Sequence, residues 1–244
     1  MVNMINTKIP VYGIFVVTGI LSGLYIIYKK VKTLNYKKEE NYGLILYILL
    51  GTLFGAKYFT LLTNFNKYKD NIDFNKIGLS SYGAAIGILI LLIIFAKQYK
   101  KNFKELINNI LPAIPLMYGI SKIGCFLAGC CYGIKYNGPL SITYKYSLSA
   151  PKNISLFPIQ IIETITFILI YLYISKKKKE NKNIISITLL FCGLAKFLLD
   201  YLRINHIGKI LTINQIVSIP FIITGLILYF KEKSKNNWLT FAYI

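Results

Sequence analysis

Charge is scarce in this sequence. Of its 244 residues only 16% are Asp, Glu, Lys or Arg, and only nine are acidic. An ordinary soluble domain carries about 25% charged residues. Histidine, tryptophan and arginine each occur once. No polar stretch is long enough to form a separate soluble domain and no internal repeat is visible, so the whole chain, 1–244, reads as a single integral membrane domain. The four cysteines, Cys125, Cys130, Cys131 and Cys192, fall inside or at the ends of apolar stretches, which excludes a disulfide-stapled ectodomain.

What fills the chain instead is apolar. Hydrophobic residues make up 55%, and the mean hydropathy is +0.53. Runs of about 18 to 25 residues suffice to cross some 30 Å of hydrocarbon at 1.5 Å per residue. Seven such runs are predicted as helices, over residues 10–28, 43–63, 79–96, 106–131, 156–174, 184–202 and 212–230. The expected fold class is therefore all-α, a polytopic membrane protein with about seven transmembrane helices. The first run is too long for a signal-peptide core and continues into Tyr28-Lys29-Lys30 rather than a small-residue cleavage site, so it is expected to be retained.

A net charge of +20 would suggest nucleic acid if the basic residues formed one patch, but they fall in short clusters between apolar runs. No nucleic-acid partner is expected. The loops after the first, third and fifth runs and the tail hold seventeen basic residues: Lys29, Lys30, Lys32, Lys37, Lys38, Lys97, Lys100, Lys101, Lys104, Lys176 to Lys179, Lys182, Lys231, Lys233 and Lys235. The opposite side holds nine: Lys8, Lys67, Lys69, Lys76, Lys135, Lys145, Lys152, Arg203 and Lys209. By the positive-inside rule the N-terminus lies outside and the C-terminus in the cytoplasm. The plain role of the cytoplasmic lysines is contact with anionic head groups.

Lys57, Lys122, Lys196, Glu163 and Asp200 lie within the apolar runs. An ionisable group at that depth costs a few kcal/mol or more unless it snorkels or is paired, so each is a site candidate. Lys57, near a helix end, is expected to snorkel. Asp200 has structural partners within reach in Lys196 at i,i+4 and Arg203 at i,i+3. With the helices oriented, Tyr12, Tyr82, Lys122, Gln160, Glu163, Asp200, Arg203 and Gln215 all fall toward the outer face. A cationic pocket there suits a lipid phosphate, and Arg203 is the natural choice wherever a planar guanidinium is needed.

Six short motifs follow one another along the chain. They are Pro10-Val11-Tyr12-Gly13, Ser81-Tyr82-Gly83-Ala84-Ala85-Ile86-Gly87, and Gly119-Ile120-Ser121-Lys122-Ile123-Gly124-Cys125-Phe126-Leu127-Ala128-Gly129-Cys130-Cys131-Tyr132-Gly133. Then come Phe157-Pro158-Ile159-Gln160-Ile161-Ile162-Glu163, Lys196 to Arg203, and Asn214-Gln215-Ile216-Val217-Ser218-Ile219-Pro220. In this order they resemble the prolipoprotein diacylglyceryl transferases, bacterial plasma-membrane enzymes that move diacylglycerol from phosphatidylglycerol to the lipobox cysteine of a lipoprotein precursor.

The resemblance implies seven helices, an outward N-terminus, a site toward the outer leaflet and no cofactor. It matches Tyr12, Gly133 and Arg203 to essential family positions, and Gln160, Glu163 and Gln215 to other polar ones. Catalytic roles then fall to Arg203, Lys122, Tyr82 and Tyr12, and lipid contacts to Lys122, Arg203, Gly83, Gly133, Gln160, Glu163, Asp200 and Gln215.

The chain also departs from the family pattern. Tyr82-Gly83-Ala84 replaces His-Gly-Gly, Lys122 replaces an arginine, Cys125 and Cys130 replace asparagine and glutamate, Phe157 replaces the histidine before Pro158, and Asp200 stands where glutamate is commoner. With that third-run histidine gone, Tyr82 is the default proton acceptor, and His206, the sole histidine, is a loop residue just past the sixth run. An inactive or altered relative that binds anionic phospholipid is one alternative. A small transporter is another, against which stands the lack of repeats. A metal or redox site at Cys125, Cys130 and Cys131 is not expected, because residues five and six apart on a continuous helix project in different directions.

Overall fold

The structure, a computed structural model, describes residues 11–34, 36–69, 73–74, 77–179 and 184–241. Lys8, Lys76 and Lys182 of the orientation argument, and Pro10 at the expected start of the first span, lie outside them. Lys67, Lys178, Lys179, Lys233 and Lys235 are described in backbone only.

Among the described residues the helices are α1 Val11–Val31, α2 Lys38–Thr63, α3 Phe65–Tyr68, α4 Ser81–Gln98, α5 Phe103–Ile110, α6 Ala113–Ala128, α7 Ile159–Lys179, α8 Ile184–Asp200 and α9 Ile213–Phe241. Six segments among the described residues are long and apolar enough to cross a membrane: Tyr12–Leu34, Lys38–Thr63, Ser81–Gln98, Phe103–Ala128, Ile159–Lys177 and Ile213–Glu232. At 17 residues α8 lies at the short end of the crossing range. The protein is thus an all-α, multi-pass membrane protein. Large apolar side chains turned outward, such as Leu21, Phe54, Tyr58 and Leu198, are what a lipid-facing surface needs.

Two compact units are formed, one by residues 24–110 and the other by residues up to 23 together with 111–244. In the first, α2 and α4 lie against each other along Gly51, Gly55, Gly83 and Gly87. A Cβ built on Gly51 would come within 2.8 Å of the Gly87 carbonyl oxygen, so the backbones touch because these residues have no side chains. Ser80 caps α4, its hydroxyl accepting the Gly83 N–H at 3.2 Å. Asn102 caps α5 by accepting the Lys104 and Glu105 N–H groups at 3.0 and 3.3 Å. Lys57 donates to the Phe74 carbonyl at 2.6 Å, a backbone anchor for the lysine expected to snorkel.

The predicted fourth span is not one helix. It divides into α5 and α6 at Leu111-Pro112, because proline has no N–H to continue the α5 ladder. It also ends earlier than expected, at Ala128, where Gly129 takes the left-handed conformation with φ 65° and ψ 40°.

In the second unit α6 packs on α7, α7 on α8 and α8 on α9. Residues 132–157 form a small cap rather than a plain loop. Strands β1 (Ile142–Thr143) and β2 (Ser155–Leu156) pair antiparallel, Ile142 opposite Leu156. Beneath them Ile142, Tyr144, Ala150 and Leu156 make a buried apolar cluster with Phe126, Leu127, Tyr132 and Ile154 around it. This cap carries no helical or long alternating period, which is why its folding is not visible in the sequence pattern.

Candidate active site

Glu163 organises the site. One turn into α7 its carboxylate is all but shut off from the surface, at 2% exposure. Oε2 meets Lys122 Nζ at 2.9 Å and the Arg203 guanidinium at 3.2 Å. Oε1 accepts the Tyr118 hydroxyl at 2.8 Å. Lys196 donates to that same hydroxyl oxygen at 2.9 Å and lies 4.2 Å from the centre of the Tyr118 ring, while Lys122 lies 4.9 Å from it. Three separate helices, α6, α7 and α8, and the residue region just past α8 thereby supply one connected network.

Asp200 ends α8 and holds the other side of Arg203, at 3.7 Å. Its carboxylate also accepts from the Thr212 hydroxyl and, at 3.0 Å, from Asn214 Nδ2, which ties the start of α9 to the end of α8. Gln215 completes the join. Its Oε1 accepts the Thr212 N–H at 3.0 Å and its Nε2 donates to the Phe197 carbonyl at 3.3 Å. Lys122 and Arg203 are thus matched by the carboxylates of Glu163 and Asp200, and Lys196 joins through the Tyr118 hydroxyl. Two buried carboxylates therefore hold these cations in place, and Arg203 Nε has no hydrogen-bond partner among the described residues.

The backbone fixes Arg203 as firmly as its side-chain partners do. Gly133 and Arg203 form an antiparallel bridge, with the Ile134 N–H on the Leu202 carbonyl at 3.1 Å and the Ile204 N–H on the Tyr132 carbonyl at 3.3 Å. A Cβ on Gly133 would reach 2.5 Å from the Phe157 carbonyl oxygen, so only glycine lets these three segments meet. Gln160, fully buried, donates to the Cys130 carbonyl at 2.9 Å and to the Tyr144 hydroxyl at 3.4 Å. Tyr144 in turn donates to the Phe126 carbonyl at 3.1 Å.

Of the residues expected at the site, Lys122, Glu163, Asp200 and Arg203 come into direct contact, and Gly133, Gln160 and Gln215 hold the backbone around them. Tyr12 lies where α1 crosses α6 at Gly124: a Cβ there would sit 3.1 Å from the Tyr12 carbonyl oxygen. Tyr82 and Gly83 belong to the 24–110 unit, where Tyr82 is buried at the start of α4. His206 stacks edge-on against Tyr201, with ring centres 4.5 Å apart. Sequence reasoning missed Tyr118, Thr212 and Asn214 as participants. The signal for Tyr118 was its spacing, one turn before Lys122 and so on the same face of α6.

The cysteines differ most from expectation. Because α6 stops at Ala128, Cys130 and Cys131 are not further positions on the helix that carries Cys125. The chain turns back, and the three sulfurs lie within 4.8 Å of one another.

The family model for prolipoprotein diacylglyceryl transferase matches residues 1–231. A phosphatidylglycerol–prolipoprotein diacylglyceryl transferase of Clostridium tetani is 28% identical over 234 residues, covering 93% of this chain and 94% of its own. A second, from Clostridium perfringens, is 27% identical with coverage of 94% and 93%. One from Finegoldia magna is 28% identical, at 92% and 91%.

Proposed function

The chain belongs to the prolipoprotein diacylglyceryl transferase family, and from that we propose that it transfers the diacylglyceryl group of phosphatidylglycerol to the lipobox cysteine of a prolipoprotein in the bacterial plasma membrane. The observation that carries the reading is the buried pair of Lys122 and Arg203 held on Glu163. The orientation that goes with it has the N-terminus outside, the C-terminus cytoplasmic and this cluster toward the outer leaflet.

The chemistry asks two things of the protein. The peptide thiol must act as thiolate, since a free cysteine with a pKa of about 8.5 is mostly protonated at neutral pH. Its sulfur then attacks the glyceryl carbon, the carbon–oxygen bond to phosphate breaks, and glycerol phosphate departs with the electron pair. Charge builds on the departing phosphate, and fixed cations in a dry site stabilise it more than water would. Arg203 can offer a planar fork of donors and Lys122 a point charge beside it. Tyr12 is the hydroxyl proposed to orient the reacting groups, while Gln160, Gly133, Asp200 and Gln215 keep the lipid-binding frame in register.

The test is mass spectrometry of a lipobox peptide incubated with the purified protein and phosphatidylglycerol. A thioether-linked diacylglyceryl adduct that disappears with Arg203→Ala is the expected result. Absence of adduct from well-folded protein would instead leave a lipid-binding relative without transferase activity.

A further inference from the structure

Three thiols converge beside the ion network, and nothing in the transfer chemistry above uses them. Cys125 occupies the last turn of α6. Gly129 then reverses the chain through paired bonds, its own N–H on the Phe126 carbonyl at 3.2 Å and the Cys130 N–H on the Cys125 carbonyl at 3.0 Å, the double closure of a Schellman motif. Cys131 follows with φ 53°, a left-handed conformation that non-glycine residues adopt rarely and that gathers at functional sites.

The turn is clamped from three directions. Leu148 and Ala150 donate their N–H groups to the Ala128 and Gly129 carbonyls at 2.8 and 2.9 Å, Gln160 holds the Cys130 carbonyl, and the Gly133–Arg203 bridge fixes the strand beyond. All three thiols are free, and they grade from buried Cys125 through half-buried Cys130 to exposed Cys131. The cluster is thus preorganised and open on one side.

Sulfurs at about 2.3 Å from a tetrahedral zinc ion stand about 3.8 Å apart. Thiols already within 4.8 Å of one another need only a small contraction to reach that spacing. Soft thiolate sets select zinc-class and similarly thiophilic ions, and a site with three protein ligands keeps a position for substrate. A disulfide would use two of the three sulfurs and leave the third without a purpose. Three thiolates and a divalent ion carry one net negative charge, and Cys131 lies within electrostatic reach of both Lys122 and Arg203, which supply the balancing positive charge.

We propose that Cys125, Cys130 and Cys131 bind a divalent thiophilic cation of the zinc class, whose fourth position takes the lipobox thiol of the incoming peptide. The second half rests on the transferase reading. Metal binding releases the protons of the three cysteine thiols to solvent at the exposed side of the cluster, and on coordination the peptide S–H gives up its proton there too. The bound sulfur attacks the glyceryl carbon, the S–C bond forms as the C–O bond breaks, and glycerol phosphate leaves with the electron pair. The neutral thioether is a poorer ligand than thiolate and departs. No electrons are gained or lost by the metal, so no oxidant is required.

The experiment uses the full chain purified under reducing conditions, with Cd²⁺ as an optical probe and Zn²⁺ as competitor. Sulfur-to-cadmium charge-transfer absorption that saturates at one ion per chain and is displaced by Zn²⁺ is expected. Cys125→Ser, Cys130→Ser and Cys131→Ser should each weaken uptake more than about a hundredfold, beyond the loss of an outer-shell partner. Cys192→Ser, on α8 and outside the cluster, should leave it unchanged. No uptake by the unaltered protein, uptake that survives all three substitutions, or a disulfide among the three in place of metal would each overturn the site. Thioether formation lost on chelation and restored by Zn²⁺ supports the fourth position. Full activity in chelated protein overturns the metal's part and leaves the transferase reading intact, whereas metal held by the three cysteines without any thioether product keeps the site and defeats that reading.

Discussion

In residues 24–110 an ion pair sits at helix ends: Glu40, in the first turn of α2, meets Lys101, just before α5, at 2.8 Å, and also accepts the Lys37 N–H at 2.9 Å. In residues 111–244 the carboxylate of Glu163 lies inside the helix packing, with Lys122 and Arg203 on one oxygen and Tyr118 on the other. A pair at the ends of helices stays near water and gives little up on folding. A pair in the interior loses its hydration, and only close contact and further hydrogen bonds offset that loss. The first unit closes its interior with glycine against glycine, the second with charge against charge. Interior charge of this kind is what a reaction that expels a phosphate requires, and helix packing does not.

The sharpest way to break the contrast is to remove the central carboxylate. Glu163→Ala leaves Lys122 and Arg203 buried beside each other without their shared partner, and should lower stability by about 3–5 kcal/mol, read as a fall in the unfolding midpoint of protein in detergent or lipid. Next is Arg203→Ala, which should cut thioether formation by about 10²–10³-fold, the loss typical of one donor that stabilises developing charge. Arg203→Lys should recover only part of it, because an ammonium lacks the guanidinium fork.

A smaller effect is expected from Gly133→Ala. The added methyl group presses on the Phe157 carbonyl and opens the bridge to Arg203, costing about 1–3 kcal/mol with a parallel loss of activity. Least of all should come from Glu40→Gln in the other unit. Product formation should stay at its unaltered rate and the unfolding midpoint should move least of the five. If it were to abolish activity while Glu163→Ala did not, the distinction between end and interior charge would be lost.

Much of this was legible in the sequence. Apolar runs and lysine clusters outlined the crossings, and of the five ionisable residues within the runs, Lys122, Glu163, Lys196 and Asp200 are members of the network, while Lys57 is anchored on the Phe74 carbonyl. Arg203 stood out as the single arginine in a lysine-rich chain. The break at Pro112 follows from the proline itself, although the apolar run continues through it.

Three things were not legible. The role of Tyr118 as a link to Lys196 was one, although its spacing put it on the face of Lys122. The 132–157 cap has contacts too local and irregular to leave a period. The cysteine spacing reads as one continuous helix, whereas α6 ends at Ala128, before Cys130 and Cys131.

The sequence by itself determined how the chain divides between lipid and water, because burial of apolar length and the cost of unpaired charge depend on residue type and spacing alone. Tertiary structure decided who meets whom. The partners of Glu163 come from 41 residues before it and 40 after it in the sequence, and the three sulfurs approach only through a left-handed turn. Such encounters depend on backbone direction after a cap and on glycine contacts between segments, quantities that no one-dimensional pattern carries.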